Sequence, residues 1–160
     1  MEDGRFVAIK WAKNYEIDKE WEILKYLNGF YAPKPIFRGK RYFIMELIEA
    51  KPLKEYINTD EYYNVLKKSL IAAFHLDLKG VFHGQLGRFY HILYNGDDIK
   101  FIDFERGVFT QSPRNFLQVI GYYLYRDEKF DKTRLRLITD IYKKNKQEAL
   151  NLAIRLIDES

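Results

Sequence analysis

An apolar stretch near the start of the chain, Val7-Ala8-Ile9-Lys10, ends in a lysine. An ammonium at the end of a strand can reach into a cleft and grip phosphate oxygens as a point charge, although a lysine on an edge strand can equally face solvent. Glu20 lies three residues after Ile17 and four before Leu24, so on a helix it shares their buried face, while Glu22 points roughly the opposite way. A carboxylate on a buried face needs a partner, and Lys10 is the obvious candidate; at the rim of that face Glu20 would be solvated. Two further stretches stand out, His83-Gly84-Gln85-Leu86 and Ile102-Asp103-Phe104-Glu105. An aspartate leaving a buried strand can hold a divalent cation, or it can cap a turn.

These side chains need elements to position them. Apolar character over residues 5–12 predicts a strand. Asn14 offers an N-cap, and Ile17, Trp21, Leu24 and Leu27 recur at helical spacing over 15–28, where Asn28-Gly29 closes the helix. Pro33 and Pro35 mark a loop. Strands are expected at 36–37 and 42–48 around a turn at Gly39, then a short helical stretch over 51–57. Residues 61–79 predict a long amphipathic helix with Leu66, Leu70, Phe74 and Leu78 on one side, ended by Gly80. Asn95-Gly96 between the apolar runs 92–94 and 99–102 signals a hairpin. Ser112-Pro113 predicts an N-cap and first turn opening a helix to about residue 126, and two helices follow near 132–144 and 146–158. The tyrosines at 122, 123 and 125 are expected mainly to pack in the core. The order is a small strand-rich part with one helix, then a helical part carrying one hairpin. That is an α+β pattern in two lobes hinged near 46–51.

Composition narrows the function classes. The chain has 160 residues, 47% hydrophobic and 17% aromatic, which suits one domain with a real core and excludes a disordered chain. With no cysteine, a disulfide, a thiolate metal site and a cysteine nucleophile are all excluded. No apolar run approaches the roughly 18 residues needed to span a bilayer, and Met1-Glu2-Asp3-Gly4-Arg5 lacks the apolar core of a signal peptide, so a cytoplasmic protein without membrane association is expected. A net charge of +4 is compatible with RNA or a phosphorylated ligand, or with lysines and arginines that simply solvate helix surfaces.

The strand Val7-Ala8-Ile9-Lys10, then Glu20, the strand end Phe43-Ile44-Met45-Glu46, His75 with Lys79-Gly80-Val81-Phe82-His83-Gly84, and Asp103-Phe104 occur in protein-kinase order. The form His83-Gly84-x-Leu86, followed by Ile92-Leu93 and Ile102-Asp103-Phe104-Glu105, resembles the atypical RIO-like kinases of archaea, including a group of predicted serine/threonine kinases, and also aminoglycoside phosphotransferases. The resemblance covers about residues 6–120. It implies a two-lobed protein-kinase-like fold in one domain of residues 1–160, with a truncated N-lobe over 1–48 and a mainly helical C-lobe over 49–160. It also implies an ATP-dependent phosphotransferase using Mg²⁺. Lys10 would contact the α- and β-phosphates and pair with Glu20. Met45 would stand at the back of the adenine site, with backbone groups of Glu46 and Ile48 bonding the base. Asp103 would bind Mg²⁺. Gln85 would occupy the place of the catalytic-loop aspartate, and His91 that of the second metal ligand, usually asparagine.

The chain departs from that pattern in several places. Only Gly4 precedes Lys10, so no glycine-rich phosphate loop is present in this sequence. Gln85 carries an amide, which cannot act as a base near neutral pH; Glu105 is one substitute base. One extra residue separates Gln85 from His91, and imidazole suits the hard Mg²⁺ poorly. Little room remains for an activation segment after Asp103. The functions expected are therefore an atypical serine/threonine phosphotransferase of low activity, acting on a protein or on itself; alternatively a pseudokinase or scaffold that regulates a partner; and, third, an RNA-associated module using its basic and aromatic residues.

Overall fold

The computed structural model describes residues 4–13 and 17–160, so the expected N-cap at Asn14 and helix start at Tyr15 lie outside the described residues. Strand β1 (Val7–Trp11) alternates as a half-buried strand should, with Val7, Ile9 and Trp11 outward and Ala8 and Lys10 turned in. Helix α1 (Ile17–Leu27) buries Ile17, Glu20, Ile23, Leu24 and Leu27, a stripe at helical spacing. It ends on Asn28 and Gly29, both at positive φ, with the Asn28 N–H donating to Leu24 O.

Strands β2 (Pro35–Arg38) and β3 (Tyr42–Glu46) complete an antiparallel sheet of order β1-β3-β2, with Lys10 opposite Phe43. Fully buried Phe43 meets the Trp21 ring of α1 at 5.7 Å, so α1 covers the face onto which Lys10 points. Strand β3 stops at Glu46, earlier than the expected 48. The expected helical stretch at 51–57 splits into strand β4 (Lys51–Pro52) and one 3₁₀ turn (Leu53–Tyr56), because Lys51 and Pro52 pair with Tyr94 and Leu93 of the later hairpin.

Helix α2 (Tyr62–Leu78) runs through the C-lobe. Its expected one-sided stripe is corrected at both edges: Leu78 is 61% exposed, whereas Ala72, Ala73, Leu76 and Asp77 are buried beside Leu66, Leu70 and Phe74. The helix is enclosed because the segments Ile99–Phe101, Asn115–Val119 and Lys146–Asp158 pack around it. Strand β5 (Val81–Phe82) pairs with β8 (Val108–Phe109), and the hairpin β6 (Ile92–Tyr94)–β7 (Ile99–Phe101) pairs with β4. The hairpin loop spans four residues: Asn95 Oδ1 accepts from the N–H groups of Asp97 and Asp98, and only Gly96 takes positive φ.

Helix α3 (Asn115–Val119) starts three residues beyond the expected cap at Ser112. Its first N–H groups, Asn115 and Phe116, donate to the buried Asp77 carboxylate, at 2.8 and 3.1 Å, so a distant side chain caps this helix. The helix does not run straight to residue 126. A π turn (Ile120–Leu124) follows, closed by Tyr125 N–H to Ile120 O. Helices α4 (Lys132–Tyr142) and α5 (Lys146–Asp158) are capped by Asp131 and Asn145. Among the described residues no helix is long and apolar enough to cross a membrane.

Candidate functional site

Three parts of the chain meet at Lys10. Its ammonium lies 2.7 and 3.0 Å from the two Glu20 oxygens and 3.0 Å from Asp103 Oδ1. The ten-residue separation between Lys10 and Glu20 is short enough for α1 to fold directly under β1. Burial opposes the charge on Lys10, but Glu20 and then Asp103 outweigh it and raise the lysine above its ordinary value. Burial pushes the Glu20 carboxyl up, and Lys10 pulls part of that back.

Asp103 sits two residues beyond β7 with φ at 63°, a left-handed conformation that turns its carboxylate back toward Lys10. The Gly107 N–H to Phe104 O bond closes the turn behind it. His91 Nε2 lies 3.3 Å from Asp103 Oδ2, and His91 Nδ1 lies 3.1 Å from Gln85 O. The contact with His91, followed by that with Lys10, holds Asp103 well below the usual carboxylate range.

A cavity of about 300 Å³ opens beside this cluster. Ala8, Leu93 and Ile102 supply apolar wall, Met45, Glu46 and Ile48 supply the edge between the lobes, and Lys10 and Asp103 form the polar end. At that edge Glu46 N–H donates to Lys34 O at 2.9 Å, and Ile48 O accepts from Ala50 N–H at 3.2 Å. A second cavity of about 400 Å³ shares Lys10 and Glu20 and adds Lys13 and Glu105; the proposed substitute base thus lines this second cavity.

The segment around Gln85 is fixed by His83, which the sequence singled out, and by Asp77, Asn115, Gln118 and Tyr142, which sequence reasoning missed. His83 is fully buried. Its Nδ1 accepts from Gln85 N–H at 3.1 Å, so its Nε2 carries the proton and donates to Ile102 O at 2.8 Å, one residue before Asp103. Asn115 Oδ1 accepts from His83 N–H, and Asn115 Nδ2 donates to Asp77 and to Val81 O. Tyr142 donates to the other Asp77 oxygen. Gln118 brackets Gln85, accepting from Leu86 N–H at 3.3 Å and donating to Gly84 O at 3.4 Å. The one signal for Asp77 in the sequence was an isolated acid in the apolar stretch 70–78.

Burial lowers the His83 pKa from 6.5 to about 4. A depressed value means that the unfolded chain binds more protons between those pH values, so this part of the stability is full above pH 6.5 and is lost as pH falls toward 4. The loss is expected to reach roughly 3 kcal/mol. Denaturant unfolding at pH 7 and pH ~4 should show a larger acid loss for the native chain than for His83→Gln; equal losses would contradict it.

The donors fit one Mg²⁺ held by Asp103 together with phosphate oxygens and water, since this cation usually takes one or two carboxylates and completes its shell from the substrate. They do not fit an all-protein metal centre: among the described residues no three His, Cys, Asp or Glu side chains converge. His91 turns its two nitrogens to Gln85 O and Asp103, and its donor type suits Mg²⁺ poorly. Residues 4–148 match the family model described as the RIO domain.

Proposed function

The chain belongs to the RIO domain family, an atypical protein-kinase-like family of ATP-binding proteins, and on that premise we propose that it transfers the γ-phosphoryl group of ATP slowly to a serine or threonine of a protein, itself included. The observation that carries this reading is the Lys10 ammonium, held between Glu20 and Asp103 at 2.7 and 3.0 Å beside a cavity of about 300 Å³ with an apolar wall. In this reading the small lobe is residues 1–48 and the large lobe 49–160.

Ala8, Leu93 and Ile102 would sandwich the base, with Met45 behind it, and the Glu46 carbonyl and Ile48 N–H would fix its edge. Lys10, aimed by Glu20, would hold the α- and β-phosphates. Asp103, oriented by His91, would hold Mg²⁺. The ion, when bound, neutralises phosphate charge. The acceptor oxygen forms a bond to Pγ as the bond from Pγ to the bridging oxygen breaks; ADP leaves with that electron pair, and the hydroxyl proton passes to water. Gln85 can orient the hydroxyl by hydrogen bonding but cannot take its proton. Positioning and charge stabilisation carry most of phosphoryl transfer, so a slow rate survives.

Gln85 also favours a second reading, a pseudokinase that binds nucleotide and regulates a partner. Transfer of labelled phosphate from ATP separates the two. On the first reading the native chain incorporates label, and Gln85→Asp raises the rate by ~10²-fold or more. No incorporation by the native chain under any nucleotide condition, with activity only in Gln85→Asp, would overturn it in favour of the pseudokinase.

A further inference from the structure

A groove of about 530 Å³ opens on the C-lobe next to the catalytic loop, with Phe82 and Leu117 as apolar lining and Arg114 and Arg126 as its charged groups. None of its lining residues is acidic. Both arginines are exposed, and among the described residues neither is in an ion pair. The neighbouring Asp127 is turned away, accepting from Tyr63 OH at 2.8 Å. The groove reaches the loop through Gln118, whose amide bonds the backbone on both sides of Gln85. Arg88 and Arg106, also exposed, flank the same loop, and Arg106 lies against Gly84.

Arginine forks pair with carboxylates in bidentate fashion, and two of them over an apolar floor call for a ligand that is acidic and partly apolar. Two aromatic rings line the groove: Phe82 is half-buried in strand β5, and Tyr122 lies against Gly87 with the Arg126 guanidinium 5.0 Å from its centre, which leaves Tyr122 poorly placed for base stacking. We propose that this groove docks an acidic segment of a protein, its Asp or Glu side chains on Arg114 and Arg126 and a neighbouring hydroxyl residue presented to Gln85. The docking stands on the groove alone; the presentation of a hydroxyl rests on the phosphotransferase reading.

Gly121 supplies a test independent of the arginines. A Cβ there meets nothing within 4 Å and its φ is ordinary, so a side chain can enter the groove without strain. The measurement is fluorescence anisotropy of a labelled short peptide with one serine among aspartates and glutamates. Its neutral and lysine-rich counterparts and a single-stranded RNA oligonucleotide serve as the other arms, and ATP affinity is measured on the same samples. The acidic peptide should bind best. Arg114→Glu with Arg126→Glu should weaken it at least ~10-fold, Gly121→Glu should weaken it too, and Gly121→Lys should not. Unchanged ATP affinity in these variants reports an intact fold.

No preference for the acidic peptide, no binding at millimolar protein, or indifference to both charge reversals would overturn the proposal. Arginine-dependent RNA binding stronger than peptide binding would reassign the surface to nucleic acid and overturn it as well. Peptide docking without ATP binding would leave this inference standing while the phosphotransferase reading fails.

Discussion

Replacing Asp77 by alanine is expected to cost about 3–5 kcal/mol of folding stability. The buried carboxylate accepts from Asn115 N–H, Asn115 Nδ2, Phe116 N–H and Tyr142 OH, so its removal leaves several donors without acceptors where water does not reach. It also takes the cap from α3 and the anchor from Asn115, which holds His83. For a chain of this length the change should appear as a fall in melting temperature of roughly 6–20 °C. Asp77→Asn keeps the shape but turns donors toward donors, and it should recover little. A loss below ~1 kcal/mol in Asp77→Ala would show that α3 and the loop carrying Gln85 are held by packing alone.

Lys10→Met is expected to reduce phosphate transfer ~10²–10³-fold. The variant removes the one cation placed between Glu20 and Asp103 at the polar end of the cavity. Stability is expected to fall far less, because Lys10 is 30% exposed and Glu20, already raised by burial, can take up a proton once its partner is gone. Lys10→Met combined with Glu20→Leu should regain stability without regaining transfer. Transfer by the single variant within ~3-fold of the native chain would show that this lysine does not hold phosphate; a rate that small a step from native corresponds to under ~1 kcal/mol.

The position of Glu20 was legible from Ile17 and Leu24 at helical spacing, and its pairing with Lys10 followed because a buried carboxylate needs a cation. The lysine alone was ambiguous. Strand β1 is an edge strand, as the solvent-facing alternative assumed, yet alternation along it turns Lys10 inward beside Ala8. Local signals failed where distant groups outbid them. Ser112-Pro113 reads as a helix start, but the start moved to Asn115 because Asp77, some forty residues earlier, offers the acceptor. Leu78 fits the apolar stripe of α2 by spacing and still points to solvent, because it ends the helix on the side away from Leu76 and Asp77, the residues of that turn that are buried. The turn from Ile120 to Leu124 has no local marker beyond Gly121. Its wider backbone sets Tyr123 to donate to Leu86 O and lays Tyr122 on Gly87, both on the loop that holds Gln85.

Calorimetric titration with ATP and Mg²⁺, run beside Asp103→Asn, tests the account most directly. Asparagine tolerates the left-handed backbone that Asp103 adopts, so the variant removes charge while keeping the turn. The account predicts Mg²⁺-dependent binding to the native chain, weakened ~10-fold or more in the variant. A folded native chain that takes up no nucleotide, or one whose affinity ignores both Mg²⁺ and Asp103, would contradict it and leave a kinase-shaped scaffold.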